Sequence, residues 1–235
     1  MDYLKKFHNE DWHTPKGRAI REVIFGMNDG IVTIVCFVAG VTVSIKDIRV
    51  VLLSALAEIV AGAISMFFGA YLSIKSQREF FDNEIKREKR EIDEMPEKES
   101  EEIREIYTNL GFKDNEVDMI VKRVTSDKKL WVRFMLREEL GILEENFDDP
   151  VRVGAIMGSS FMIGSFPPLI PYMFLDNPVT ALKLAILVSI IFLFGIGAGK
   201  TVITKGNWIK SGIEVSIIGT AASGIGYGIG KIISL

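Results

Sequence analysis

Apolar residues fall into five long runs along this chain, at 23–45, 50–74, 153–175, 177–199 and 211–230. Each run meets the ~20 residues that a helix needs to cross the hydrocarbon of a bilayer. A soluble helix or strand would interleave polar positions at its own period instead. Charge is sparse within the runs. Asp29 lies in the first, Glu58 in the second and no charge in the third, while Lys183 and Glu214 sit near one end of the fourth and fifth. Between the second and third runs comes a polar block, 76–149. The pattern predicts an all-α integral membrane protein with five transmembrane helices and a helical domain inserted between helices 2 and 3. Its expected parts are 1–75 (N-terminal segment and two spans), 76–149 (the inserted domain) and 150–235 (three spans).

Local signals divide the inserted block into helices. Strong helix formers fill "SQREFFDNEIKREKREIDEM" up to Pro96. "EKESEEIREIYTNLG" follows, with Gly111 placed as a C-cap. "DNEVDMIVKRV" forms a short helix, and "DKKLWVRFMLREELG" a further one ending at Gly141. No Gly or Pro occurs between Ala70 and Glu94, so span two is expected to continue unbroken into the block. In the third span, Pro167, Pro168 and Pro171 remove backbone donors and are expected to bend or interrupt the helix. Gly195/Gly199, Gly224/Gly228 and Gly226/Gly230 have the spacing that lets membrane helices pack closely. "FGIGAGKT" is no phosphate loop, because Phe194 takes the place of the required first glycine and no strand precedes it.

Charge then orients the spans. Lys5, Lys6, Lys16, Arg18 and Arg21 precede span one, and Lys200, Lys205 and Lys210 follow span four, whereas "KDIR" and "DN" follow spans one and three. By the positive-inside rule the N-terminus and the inserted domain are expected to be cytoplasmic, and the C-terminus outside or lumenal. Residues 76–149 hold 14 basic and 22 acidic residues, a net −8, against 14 and 9 elsewhere, a net +5. An acidic block argues against nucleic acid as a partner and for cations. Cys36 is the only cysteine, so neither a disulfide nor a thiolate cluster can form within the chain. The first 21 residues are too charged to hold the apolar region of a signal peptide. No nucleophile–base pair or cofactor motif points to an enzyme, and no prosthetic group is expected.

The acids within the spans carry the strongest chemical hint. A carboxylate near the bilayer centre costs about 2.5–3.5 kcal/mol on insertion scales, so such residues are functional by default. Gly62, Ser65, Met66 and Gly69 follow Glu58 at offsets of 4, 7, 8 and 11. All lie within about 80° of it around the helix. Asp29 is expected roughly 10 Å below the cytoplasmic boundary. Only Lys183 could serve as a basic partner inside the spans, so the balancing charge is expected to arrive from solution as a metal ion or a proton. Asp29, Glu58 and Met66 could line one route.

Carboxylates of the inserted block also fall at helical spacing. Glu84, Glu88 and Glu91 share one face, Glu99, Glu102 and Glu105 follow at intervals of three, and Met135 lies four before Glu139, with Glu138 alongside. Several oxygens and one sulfur could thus converge, a donor set that leans toward a transition ion over Ca²⁺ or Mg²⁺. The competing reading is a solvated helix surface laced with i, i+4 ion pairs, which "EIKREKREIDE" fits well. No Glu-x-x-His motif supports a dinuclear ferritin-type centre, and His8 and His13 both precede span one, where an interfacial role suits them better than a ligand role.

The stretches "GRAIREVIFGMNDGIV", "LAEIVAGAISMFFGAYLS", the Glu-rich insertion, "FMLREELG" and "PPLIPY", in that order, resemble the vacuolar iron transporter family across nearly the whole chain. The resemblance implies a homodimer of five-helix protomers with a path at the two-fold interface, through which Fe²⁺ leaves the cytoplasm in exchange for protons. It places Asp29, Glu58 and Met66 on the transport path, and Glu88, Glu91, Glu99, Glu102, Met135 and Glu139 among cytoplasmic metal-binding positions. Leu136 departs from the pattern where a carboxylate can stand, with Glu138 as its candidate substitute. Mn²⁺, Co²⁺ or Zn²⁺ as cargo, and a membrane-anchored metal sensor or store without transport, are the alternatives. The expected membrane is the cell membrane in a prokaryote and a vacuolar-type membrane otherwise.

Overall fold

The structure, a computed structural model, describes residues 15–141 and 148–233. His8, His13, Lys5 and Lys6 lie outside the described residues. Among the described residues every regular element is a helix: α1 (Pro15–Ser44), α2 (Ile48–Glu94), α3 (Pro96–Asn109), α4 (Asp114–Thr125), α5 (Lys128–Glu138), α6 (Pro150–Phe174), α7 (Pro178–Gly199), α8 (Thr201–Thr204) and α9 (Trp208–Ile233). Four helices are long and apolar enough to cross a membrane by length and composition: α1 from Ala19, α2, α6 and α7. In the 26-residue α9, six glycines dilute the apolar character.

The described residues separate into two compact units, one up to Tyr71 and from Pro150 onward, the other Leu72–Asp149. α2 is a single 47-residue helix that contributes to both, about twice the length one crossing requires. Its continuity follows from the absence of helix breakers between Ala70 and Glu94.

In the first unit α1 is the central helix, packed against α6, α7 and α9. Its Ile34, Val38 and Ala39 meet Val51, Ala55 and Ile59 of α2, Leu169 and Tyr172 of α6, and Ala181, Leu182 and Ala185 of α7. A buried hydrogen bond of 2.7 Å joins Thr42 Oγ1 to Tyr172 Oη. The small residues are used selectively. Gly226 and Gly230 of α9 lie against the α1 backbone at Cys36 and Gly40, where a Cβ would meet a carbonyl. Gly195, Gly199, Gly224 and Gly228 face open space, so of the three predicted pairs only 226/230 packs closely against another helix of this chain.

The three prolines do not interrupt the third span. α6 runs unbroken from Pro150 to Phe174, with Pro167, Pro168 and Pro171 all buried in its C-terminal third. Membrane helices keep their path through proline where neighbouring helices pack over the freed carbonyls. α1 packs closely against this helix, with Gly164 against the Met27 backbone and Gly30 against Phe161 and Ser165.

The second unit is built by the C-terminal half of α2 with α3, α4 and α5. Ile92, Ile103, Val124, Trp131, Val132, Met135 and Leu136 form its apolar cluster. Pro96 opens α3, and Gly111 and Gly141 take positive φ (88° and 63°) where the chain leaves α3 and α5. The Glu116 carboxylate accepts from the Lys113 amide (2.8 Å) at the start of α4. Asp127 accepts from the amides of Lys129 (2.8 Å) and Leu130 at the start of α5.

Candidate metal site and the acids of the spans

Three carboxylates from three helices meet in the second unit. Glu88 of α2, Glu99 of α3 and Glu139 just after α5 each offer an oxygen, and the three oxygens lie within 4.8 Å of one another. Helical spacing explains the meeting. Ile92 stands four residues from Glu88, Ile103 four from Glu99, and Met135 four from Glu139, so each acid shares a face with a member of the apolar cluster. Packing that cluster necessarily gathers the acids at its edge. Glu88 and Glu99 are each only 1% exposed, while Glu139 is exposed.

The electrostatics are those of carboxylates whose burial and mutual repulsion outweigh the nearby cations Lys98 and Arg87. Burial, followed by repulsion from Glu139 and Glu99, pushes the Glu88 carboxyl up to about 8. Burial and Glu102 raise Glu99, and burial and Glu102 likewise raise Glu139. Oε1 of Glu88 and Oε2 of Glu99 are buried without a hydrogen-bond partner. Such a group must hold protons or a cation to avoid the penalty of buried charge. Oxygens bound at ~2.2 Å to one divalent ion lie roughly 3–4.5 Å apart, close to the spacing found.

The other acidic candidates surround this triad or stand apart from it. Glu91 pairs with Arg87 at 3.6 Å and Glu102 with Lys98 at 3.0 Å, both half-buried. Their charges still raise Glu139, so they form an outer ring of negative potential. Glu84 is held by Arg87 at 2.7 Å. Met135 is fully buried in the apolar cluster. Leu136 is also buried there, at a position where a carboxylate would face hydrocarbon. Glu138 pairs with Arg137 at 3.2 Å and acts electrostatically on Tyr107, outside the triad.

In the first unit Asp29, Glu58 and Met66 are each partly exposed on α1 and α2. Neither acid has a hydrogen bond or ion pair among the described residues, and Lys183 is exposed without an ion pair among them. Glu22, one residue before the apolar run at 23–45, is only 7% exposed and precedes Asp29 by seven residues on the same face of α1. That spacing was its signal. An apolar window beginning at residue 23 hides it.

Comparison with known proteins covers nearly the whole chain. The sequence pattern of the VIT family matches residues 20–231. Vacuolar iron transporter 1 of Oryza sativa is 33% identical, over 95% of this chain and 89% of its own length. Vacuolar iron transporter 1 of Arabidopsis thaliana is 30% identical, over 96% and 90%. Protein CCC1 of Saccharomyces cerevisiae is 30% identical, over 89% and 67%. With matching that spans both the acids of the membrane helices and the carboxylate triad, this chain belongs to the VIT family.

Proposed function

We propose that this protein is a homodimeric divalent-metal transporter that moves Fe²⁺ out of the cytoplasm in exchange for protons. The observation carrying this reading is that Asp29 and Glu58, acids in apolar helices, have no fixed cationic partner among the described residues. Their balancing charge then has to be mobile. A carboxyl can bind either a proton or a metal ion, so each of these acids can hold either cargo in turn. Exchange requires at least that much. Vacuolar iron transporters as relatives favour Fe²⁺ as the ion.

In this reading α9 is the fifth crossing. Its 26 residues give about 39 Å of helix, enough for a hydrocarbon core of about 30 Å. The Lys/Arg bias then puts the acidic unit on the cytoplasmic side and the C-terminus opposite. The triad of Glu88, Glu99 and Glu139 captures the ion, Asp29 and Met66 receive it, and Glu58 passes it on. The ring of Glu91 and Glu102 raises its local concentration.

Reconstituted vesicles test this directly. Fe²⁺ flux under anaerobic conditions should be accompanied by opposite proton movement, read by a lumenal pH dye, and Asp29→Ala or Glu58→Ala should abolish both. Normal flux in both variants ends the proposal. Competition by Mn²⁺, Co²⁺ and Zn²⁺ in the same assay ranks the cargo. The triad by itself also suits a metal store, which would show ion binding with no flux in any variant.

A further inference from the structure

We propose that a groove among α1, α7, α8 and α9 binds an anionic phospholipid, with its phosphate between Arg21 and Lys200. The groove is a cavity of about 490 Å³ in the first unit. Its two cations lie at one end of the apolar helices. Arg21 stands two residues before the apolar run that begins at residue 23, and Lys200 directly follows the span ending at Gly199. Both therefore stand at a boundary between hydrocarbon and water, where phospholipid phosphates reside. Neither has an ion pair among the described residues. Thr204 adds a hydroxyl at the same end.

The deeper walls are apolar. Ile24 and Phe25 of α1, Ile196 of α7 and Ile218 of α9 line the groove, and Phe25 and Ile218 are 56% and 50% exposed. Cations at the water boundary above an apolar trough complement one class of occupant, an anionic head with an acyl chain. A small free anion would use the cations and leave the trough bare. A neutral lipid would leave the cations unpaired. Asn28, beside Asp29, also lines the cavity, and its buried Oδ1 has no hydrogen-bond partner. An occupied groove therefore ties the helix that carries Asp29 to α7 and α9.

The test uses the full chain in phosphatidylcholine nanodiscs with and without about 20% phosphatidylglycerol, followed by thermal unfolding and by counting retained lipid in native mass spectrometry. Phosphatidylglycerol should raise the midpoint by about 4 °C. Arg21→Gln/Lys200→Gln should lose at least half of that rise, and so should Ile218→Trp, which fills the trough and leaves the cations in place. Lys210→Gln, which removes an exposed charge outside the groove, should keep it. Three results overturn the proposal: an undiminished rise in both groove variants, the same rise from inorganic phosphate in phosphatidylcholine discs, or groove variants that change only the monomer–dimer ratio. The last would mean that a second copy of the chain covers the face.

Discussion

At Glu88 the requirements of folding and of binding oppose each other. Its carboxyl, about 4.5 in the unfolded chain, is pushed to about 8 in the fold by burial and by Glu139 and Glu99. Between those values the folded state holds a proton that the unfolded state has released. Stability is therefore retained below about 4.5 and lost as pH rises toward 8, with Glu99 and Glu139 shifted in the same direction. A divalent ion can replace the proton and restores what is lost. With Trp131 as the only tryptophan (Trp12 and Trp208 replaced by Phe), the urea midpoint of the metal-free chain should fall from pH 5 to pH 8. Anaerobic Fe²⁺ should raise it more at pH 8 than at pH 5. Glu88→Gln should flatten the metal-free decline and weaken Fe²⁺ binding at least ~10-fold. An unaltered pH slope in that variant would contradict the assignment. Spacing alone did not single out these three acids. Glu84 and Glu105 repeat at the same intervals, yet Glu84 is held by Arg87 and Glu105 is exposed. The distinguishing mark is an apolar residue four positions away that belongs to the core, as at Ile92, Ile103 and Met135, and core membership is a tertiary property.

Helix boundaries were the most legible feature of the sequence, because backbone chemistry sets them locally. Pro96 opens α3, and Gly111 and Gly141 adopt the left-handed backbone that ends α3 and α5, as the sequence reading expected. Interactions between helices were less legible. The prolines of α6 were expected to bend or interrupt it, and the interruption does not occur: the helix runs on with α1 packed closely against it. The three glycine pairs looked alike, but only Gly226/Gly230 meets α1, because spacing fixes a face without saying what lies opposite. This difference can be measured. In Gly226→Ala the added Cβ meets the Cys36 carbonyl, and the substitution should cost about 1–3 kcal/mol. Gly224→Ala adds its methyl to open space and should be neutral or stabilising by up to ~1 kcal/mol through helix propensity. Thermal unfolding in detergent should separate the two by several degrees. Equal midpoints would mean that α9 does not press on α1.

Over the whole molecule, charge and chemistry divide between the units. The block at 76–149 carries a net −8 and the remainder +5, so cations concentrate near the acidic unit while Asp29 and Glu58 lie in the apolar one. A capture site and a translocation path fail differently when damaged. Glu99→Gln/Glu139→Gln removes two of the three convergent carboxylates, which lowers occupancy at scarce Fe²⁺ but leaves the intramembrane acids intact. Vesicle flux should then show KM raised by about 10-fold, with kcat within about two-fold of wild type at saturating metal. Asp29→Asn keeps the size of the side chain and removes its charge, so it should lower kcat at every concentration, because a step of the crossing itself has lost its ligand. Added salt should raise KM for wild type more than for the double variant, since screening weakens an attraction that the variant already lacks in part. Should the double variant lose kcat as fully as Asp29→Asn, the triad would be an obligatory stage of translocation, and its role as a separate collector would be wrong.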